Sequence, residues 1–174
     1  MDPTVWYATL PSPVGALLLL SDGEALTGLY TEGHRLPPAV GPSWRRDPGP
    51  FRAAEARLLA YFDGEARPFD IPLAPRGTDF QRAVWAALRE IPFGDRISYG
   101  ELARRLGRPA ASRAVGRANG LNPISILVPC HRVVGSGGAL TGYAGGLECK
   151  RLLLEHEARR VAEARHGRAV RMSG

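Results

Sequence analysis

The sequence predicts an α+β protein in which a small N-terminal antiparallel β-sheet domain with one helix precedes a mostly α-helical C-terminal domain. Three short apolar runs near the N-terminus are separated by Pro-Ser-Pro and Asp-Gly turns, which is typical of a strand meander. From residue 51 onwards, apolar residues recur mainly at helical spacing. The 174 residues are enough for two small domains that share one core.

Residues 1–75 are expected to form the N-terminal domain. Its three strands are predicted at the apolar runs 5–10, 14–21 and 25–30. A loop rich in Pro and Gly follows at 36–50. Helical spacing then predicts a helix over 51–62, and the residues expected on its apolar face are Ala54, Leu58, Leu59 and Phe62. A stretch at 68–77 is expected to link this domain to the next.

Residues 76–160 are expected to form the helical C-terminal domain. Thr78 or Asp79 can cap a first helix, whose apolar residues are Phe80, Val84, Trp85 and Leu88. Ser98 can cap a second helix over 99–106, with Glu101 as its partner in a capping box. Gly107-Arg108-Pro109 ends this second helix, and a third helix is expected over 110–119. A helix, a short Gly-containing break and a helix make up the helix-turn-helix pattern.

The last part of the chain alternates Gly-rich turns with one long helix. A β-like run at 124–128 leads into Pro129-Cys130-His131-Arg132-Val133. Gly-rich turns are expected near 135–138 and at 141–146, and a final helix begins at Leu147. Residues 161–174 form a basic tail rich in Arg.

Composition indicates a basic protein with reduced cysteines. Lys and Arg total 23 against 17 Asp and Glu, which gives a net charge of +6, and Lys150 is the single lysine. Arginine suits planar contacts to phosphate and to base edges, so nucleic acid is a candidate partner. Two cysteines in a chain of this length do not form a disulfide framework. With no secretory signal or membrane-spanning run in the sequence, we expect a cytoplasmic protein.

Cys130 is the candidate nucleophile, whereas Cys149 is interpreted as a core residue. Cys130 ends an apolar run and precedes a Gly-rich turn, a position that can expose a side chain at the mouth of a pocket. A thiolate is the attacking species, so a base must take the proton, and His131 is the obvious candidate. Adjacent residues of an extended segment point to opposite faces, which favours a bridging water. Glu157 is the best candidate to orient His131.

A family resemblance rests on these residues and on the segments around them. Pro129-Cys130-His131-Arg132-Val133 resembles the signature of the O6-alkylguanine-DNA alkyltransferases, also called methylated-DNA–protein-cysteine methyltransferases. The resemblance covers residues 80–157 with spacings intact. Its other matching pieces are 80–85, 98–103, 113–116, 122–123, 142–146, Lys150 and 152–157. It also implies a ribonuclease H-like N-terminal domain, to which we assign a stabilising role.

The resemblance implies a chemical role for four residues around the thiol. Cys130 resembles the acceptor of the alkyl group. His131 resembles the base that acts through a water molecule, and Glu157 resembles the partner that orients its imidazole. Asn122 resembles a hinge asparagine, whose amide would tie the end of the recognition helix to the Cys130 segment.

The resemblance also implies how the chain would bind DNA and extrude a nucleotide. Tyr99 would help to rotate the nucleotide and would donate to guanine N3, with Lys150 near its hydroxyl to stabilise charge developing there. Arg113 would fill the gap left by the flipped base. The helix 110–119 would enter the minor groove, where its small residues suit close approach. The remaining residues expected at the DNA are Ser112, Ala114, Arg117 and Asn119.

A base pocket is implied at residues 143–146, the part of the Gly-rich loop that would cover the flipped guanine. Tyr143 would stack on the base, and the backbone amide of Ala144 would donate to O6. The carbonyls of Cys130 and Val133 would accept from the exocyclic amine. Gly145 and Gly146 would leave room for larger adducts, so bulkier O6-alkyl groups and O4-methylthymine are expected substrates.

The predicted function is therefore direct, stoichiometric repair of double-stranded DNA that carries O6-alkylguanine. No second nucleophile that could regenerate Cys130 is evident in the sequence, so each molecule is expected to act once. No metal or cofactor is expected, because the histidines and cysteines lack zinc-ligand spacing. The protein is expected to be a monomer without membrane contacts, and cooperative binding on DNA stays open.

Three other interpretations are less consistent with these residues. A DNA-binding regulator without catalysis would not need Cys130. A cysteine hydrolase or redox enzyme is disfavoured because Cys130 and His131 are adjacent and no CxxC motif is present. A non-enzymatic scaffold leaves the spacing of the Pro-Cys-His-Arg-Val motif unexplained.

Overall fold

The N-terminal part of the protein is built on a small mixed sheet. The computed structural model describes residues 4–172, and within them the sheet has four strands in the order β3-β2-β1-β4. Strands β1 (Trp6–Leu10), β2 (Leu17–Ser21) and β3 (Leu26–Thr31) form the predicted antiparallel meander. Strand β4 (Arg45–Arg46) pairs in parallel with β1, inside the predicted loop. Two exposed arginines carry no apolar pattern, so the sequence did not indicate β4.

Helix α1 (Arg52–Phe62) packs on this sheet after a short 3-10 turn. Its buried residues are Ala54, Leu58 and Tyr61, which follow the spacing i, i+4, i+7 along one face. The predicted apolar face was wrong at Leu59, which is 53% exposed, and Phe62 is partly buried. Leu59 lies beside the buried stripe because each residue turns the helix by about 100°.

The next three helices begin at or near their predicted starts, and two of them have a predicted capping residue. Thr78 caps α2 (Asp79–Arg89) in a complete capping box with Gln81. Ser98 caps α3 (Tyr99–Arg105) by accepting from the backbone amide of Glu101. The predicted reciprocal bond of Glu101 was wrong, since its carboxylate pairs with two arginines of the same helix. Helix α4 (Ser112–Gly120) follows a 3-10 turn at 109–111.

The run 124–128 was wrongly predicted as β-like. Ile126 has a positive φ of 69°, which interrupts an extended chain. The segment is instead joined to β3 by two backbone bonds, from Leu29 N to Pro123 O at 2.9 Å and from Ser125 N to Leu29 O at 2.9 Å. This single bridge fixes the N-terminal sheet to the chain just before Cys130.

Two short elements not predicted from the sequence hold the chain on the other side of Cys130. Strands β5 (Ile97–Ser98) and β6 (Val133–Val134) pair in parallel. Two-residue strands are too short to show a periodic pattern. Helix α5 (Leu147–Met172) then runs without a break into the expected basic tail, whose last two residues lie outside the described part. In residues 4–172 no helix combines the length and the apolar character needed to cross a membrane.

Both parts of the chain contribute to one hydrophobic core. Leu29 and Leu58 of the N-terminal part are fully buried together with Leu102 and Leu153 of the C-terminal part. Trp85 of α2 is buried among them, and its indole donates to the carbonyl of Ala118 in α4 at 2.9 Å. The α+β prediction is confirmed. Because the two parts share one core, the position of the C-terminal part depends on the N-terminal part.

Candidate functional site

Cys130 begins a 3-10 turn, Cys130–Arg132, that leads directly into β6. Its side chain is only 5% exposed, so the thiol is more enclosed than a position at a pocket mouth would be. Burial raises the pKa of the Cys130 thiol to about 11, although a hydrogen bond from Asn122 and the charge of Lys150 act in the opposite direction. At neutral pH the sulfur is therefore protonated and needs a base.

Asn122 lies just after α4 and contacts the segment that carries Cys130. Its amide nitrogen lies 2.8 Å from the carbonyl oxygen of Val128 and 3.1 Å from the sulfur of Cys130. Its carbonyl oxygen accepts from the backbone amide of Ile124 at 3.0 Å. Because Asn122 follows α4 closely, these bonds join the end of that helix to the segment that carries the thiol.

The expected contact of Asn119 with DNA was wrong. Asn119 is 2% exposed on the inner face of α4, and its amide nitrogen lies 3.5 Å from the carbonyl oxygen of Cys130. The helical spacing of Val115, Ala118 and Asn119 places all three on the core side of α4. Asn119 therefore supports the backbone of Cys130 instead of facing solvent.

His131 and Glu157 form a buried pair. The distance between Nε2 of His131 and Oε1 of Glu157 is 2.7 Å, and both side chains are at most 1% exposed. Burial lowers the pKa of His131 below its ordinary value, and the nearby Glu157 carboxylate opposes this shift only in part. His131 is thus neutral near pH 7, and we assign its proton to Nε2, which donates to Glu157.

That tautomer leaves Nδ1 of His131 as a proton acceptor. Nδ1 is buried and has no hydrogen-bond partner among residues 4–172. A neutral imidazole that donates at one nitrogen carries a lone pair on the other. The arrangement can therefore accept a proton at Nδ1, directly or through a water molecule.

Arg132 completes the pair, and the sequence did not indicate its role. Its Nε and Nη2 each lie 3.0 Å from a Glu157 oxygen, and Nη1 donates to the carbonyl of Ile91 at 2.6 Å. Burial raises the pKa of Glu157, but His131 and Arg132 outweigh it and hold that pKa well below its usual range. Arg132 belongs to the motif Pro129-Cys130-His131-Arg132-Val133, and its place there was the sequence signal that could have indicated a role at the site.

Lys150 and Tyr99 meet at one backbone carbonyl. Lys150 is fully buried, and its Nζ lies 2.9 Å from the carbonyl oxygen of Thr141 and 2.6 Å from that of Val133. The Tyr99 hydroxyl donates to the same Thr141 carbonyl at 3.1 Å. The two side chains are thus close, as expected, but they are joined through Thr141. Burial lowers the pKa of Lys150 to about 8.

The loop 141–146 is packed against the N-terminal part. Tyr143 is 6% exposed, and the carbonyl of Ala144 accepts from the backbone amide of Arg35 at 2.7 Å. A Cβ atom at Gly145 would collide with the Thr31 hydroxyl of β3 and would lie 2.8 Å from the Tyr143 ring. Thr31 and Tyr143 therefore fill the space beside Gly145, whereas no atom of the described residues, apart from its chain neighbours, lies within 4 Å of a Cβ placed at Gly146, and the expected room for larger adducts stays a prediction.

The outer face of α4 is open and basic. Arg113, Ala114 and Arg117 are exposed, and Ser112 is partly exposed. An open groove of about 480 Å³ runs along these residues; it is lined by Thr78, Phe80, Gln81, Arg113, Ala114, Arg117, Ala118 and Leu121. The Tyr99 ring packs over Gly116 of the same helix. A surface with exposed arginines and small residues can approach a nucleic-acid backbone closely.

Comparisons with known proteins agree with this geometry. Residues 5–75 match the family model described as 6-O-methylguanine DNA methyltransferase, ribonuclease-like domain, and residues 79–159 match the corresponding DNA binding domain. A methylated-DNA–protein-cysteine methyltransferase of Methanosarcina acetivorans is 50% identical over 153 residues, which are 88% of this chain and 98% of that protein. A protein of the same name from Mycobacterium bovis is 51% identical over 157 residues, 90% of this chain and 94% of its own length.

A solved structure gives the same comparison in three dimensions. The crystal structure of Mycobacterium tuberculosis OGT in complex with DNA superposes with a TM-score of 0.82 at 51% identity. The alignment covers 89% of this chain and 94% of that one. The arrangement of the strands and helices around Cys130 is therefore shared with a protein that was crystallised with DNA.

Proposed function

Since the chain belongs to the 6-O-methylguanine DNA methyltransferase family, whose members repair DNA by moving an alkyl group from guanine to a cysteine, we propose that Cys130 is the acceptor. The observation that supports this choice is the buried His131–Glu157 pair beside Cys130. Cys149 lies on α5 within the core. Mass mapping after exposure to DNA with O6-methylguanine tests the choice, because alkylation of Cys149 instead would contradict it.

The reaction follows from the protonation states at the site. Nδ1 of His131 takes the thiol proton through a bridging water while the sulfur attacks the alkyl carbon in line. The new bond joins sulfur to carbon, the bond between carbon and O6 breaks, and its electron pair stays with guanine. The Tyr99 hydroxyl, with Lys150 behind it, stabilises the charge that develops on guanine N3. The thioether product is stable, so each molecule acts once.

Access to the sulfur requires the loop 141–146 to move. A thiol that is 5% exposed cannot meet a nucleobase, and Tyr99 must release the Thr141 carbonyl before it can donate to guanine. The bonds from Lys150 and Tyr99 to Thr141, and from Arg35 to Ala144, are polar contacts that hold the loop on either side. We propose that entry of the flipped base displaces these contacts, after which Tyr143 and the Ala144 amide can face the base.

The rate of transfer from a free base is not expected to rise between about pH 7 and pH 9, and it should fall modestly as Lys150, whose pKa is about 8, loses its proton. His131 has a pKa below its ordinary value, so it is neutral throughout this range and the thiol proton has an acceptor. A mechanism that needed preformed thiolate would instead accelerate tenfold per pH unit towards the Cys130 pKa of about 11. Stopped-flow measurements with O6-benzylguanine distinguish the two, and a slope of one would contradict the general-base mechanism.

Arg113→Ala is expected to slow repair of duplex DNA by about 10- to 100-fold, because an extruded base costs a few kcal/mol and the arginine offsets that cost. Transfer from free O6-benzylguanine should change less than about threefold, since no base pair is opened. Arg52→Ala, an exposed arginine of α1, is the matched control and should repair duplex normally. Equal losses with both substrates would remove the proposed gap-filling role of Arg113.

Substrate range and location complete the proposal. Bulkier O6-alkyl groups and O4-methylthymine are proposed substrates that depend on how far the loop 141–146 opens, since Gly145 itself offers no free space. A cytoplasmic location is proposed because Cys130 must stay a free thiol in order to react.

A further inference from the structure

Tyr61 places a polar group of the N-terminal part in the middle of the site. It lies in the last turn of α1 and is 2% exposed. Its ring packs among Phe62, Phe69, Phe93 and His156. Phenylalanine would fill this aromatic cluster equally well, so packing does not explain the hydroxyl. That hydroxyl lies 2.8 Å from Oε1 of Glu157, a residue 96 positions away in the sequence.

The carboxylate that receives this bond is held from several directions. Oε1 of Glu157 faces Nε2 of His131 at 2.7 Å, the Tyr61 hydroxyl at 2.8 Å and Nη2 of Arg132 at 3.0 Å. Oε2 faces the backbone amide of Gly94 at 2.9 Å and Nε of Arg132 at 3.0 Å. Two carboxylate oxygens have about four lone-pair sites, so this carboxylate is saturated and has one allowed orientation.

We propose that Tyr61 is a positioning residue for alkyl transfer. Its hydroxyl fixes the orientation of the Glu157 carboxylate and weakens the interaction of that carboxylate with His131. This inference rests on the proposed function and extends it to the N-terminal part, to which the sequence assigned only stability. Tyr61 exchanges no proton in the reaction. Burial raises its pKa well above the usual value, and the Glu157 charge adds to this effect, so its hydroxyl is a permanent donor.

The sign of the effect follows from competition for one oxygen. Tyr61 and His131 both donate to Oε1, so loss of the Tyr61 donor makes this oxygen a stronger acceptor for the imidazole. A stronger carboxylate partner favours the protonated imidazole and raises the pKa of His131. Since protonated His131 cannot accept the thiol proton, activity would then be lost at a higher pH than in the native protein.

The test compares Tyr61→Phe with native protein and with Tyr7→Phe, which removes a hydroxyl elsewhere in the same sheet-and-helix part. Transfer from O6-benzylguanine should slow by about three- to tenfold in Tyr61→Phe, and the acid limb of its pH profile should rise by about half a unit. Tyr7→Phe should leave both unchanged. Affinity for undamaged DNA should stay the same in all three proteins, because Tyr61 is buried.

The other titratable groups near the His131–Glu157 pair are the same in native protein, Tyr61→Phe and Tyr7→Phe. Arg132 acts on it from the 3-10 turn, and Cys149, Lys150 and His156 act from α5. Lys150, with a pKa of about 8, affects the alkaline side of each profile alike. The difference between Tyr61→Phe and native profiles therefore reports on the lost hydroxyl.

A double variant separates positioning from stability. In a His131→Gln background, Tyr61→Phe should cause no further loss of rate, because its effect passes through His131. An unchanged rate and pH profile in Tyr61→Phe, or a full additional loss in the double variant, would overturn the proposal. If native protein itself transferred no alkyl group to Cys130, the proposed function would fail first, so the two failures are distinguishable.

NMR of the native protein provides a measurement that does not depend on a variant folding. The Tyr61 hydroxyl proton should exchange slowly with water and show a nuclear Overhauser effect to the His131 ring, because both share Oε1 of Glu157. A Tyr61 hydroxyl proton in rapid exchange would show that the bond is absent in solution and would overturn the proposal.

Discussion

Cys130→Ser is expected to abolish alkyl transfer, with a loss of at least about 10³-fold, while DNA binding persists. A serine hydroxyl is slightly smaller than the thiol and can still accept from Asn122, so the 3-10 turn and the hinge should be retained. It is a far weaker nucleophile than sulfur, and neutral His131 cannot deprotonate it in advance. Incubation with DNA that carries radiolabelled O6-methylguanine should label native protein to at most one methyl group per chain.

The second cysteine supplies the matched control for this experiment. Cys149→Ser should still accept one methyl group, because Cys149 lies in the core near Thr31 and Cys130 keeps its own contacts in this variant. DNA affinity, measured by mobility shift on an undamaged duplex, should be similar for native protein and both variants. Labelled Cys130→Ser, or repeated turnover by native protein, would contradict the stoichiometric mechanism.

Glu157→Gln is expected to cause the largest combined loss of rate and stability. The change leaves Arg132 charged and buried without its carboxylate, which costs about 3–5 kcal/mol in comparable buried pairs. It also places an amide beside His131, which can favour the tautomer with the proton on Nδ1 and remove the acceptor. Transfer should fall by about 10²- to 10³-fold even where the variant is folded.

Glu155→Gln is the control for that substitution on the same helix. Glu155 is exposed and pairs with Arg151 one turn away, so its loss should change the free energy of unfolding by less than about 0.5 kcal/mol. Urea denaturation gives the stability of both variants, and single-turnover kinetics gives the rates. If Glu157→Gln matched Glu155→Gln in both measurements, the buried network would have neither role.

The sequence predicted those parts of the site whose signal is local or belongs to a shared motif. Ser98 was identified as a helix cap, and Thr78 was one of two candidates for another, because capping depends on neighbouring residues. Cys130, His131 and Glu157 were chosen as nucleophile, base and orienting residue, and a family resemblance supported that choice; the structure brings His131 and Glu157 within hydrogen-bond distance of each other. The roles of these residues stay predictions that the experiments above address.

Other features depend on tertiary contacts that no local pattern encodes. Tyr61 reaches Glu157 across 96 positions, and nothing near it in the sequence signals that bond. Asn119 was taken for a DNA contact because its helix was considered without the orientation that the core imposes. Gly145 was taken as free space, whereas a threonine from β3 occupies the volume beside it.

The close packing around Cys130 also bears on the fate of the molecule after repair. A methyl or larger group on a sulfur that is 5% exposed adds volume where Asn122 and the adjoining turn leave little. Extra carbon atoms in a well-packed interior force neighbours aside and weaken the fold. The alkylated protein is therefore expected to unfold more readily than the native protein, and urea denaturation of both forms would measure the difference.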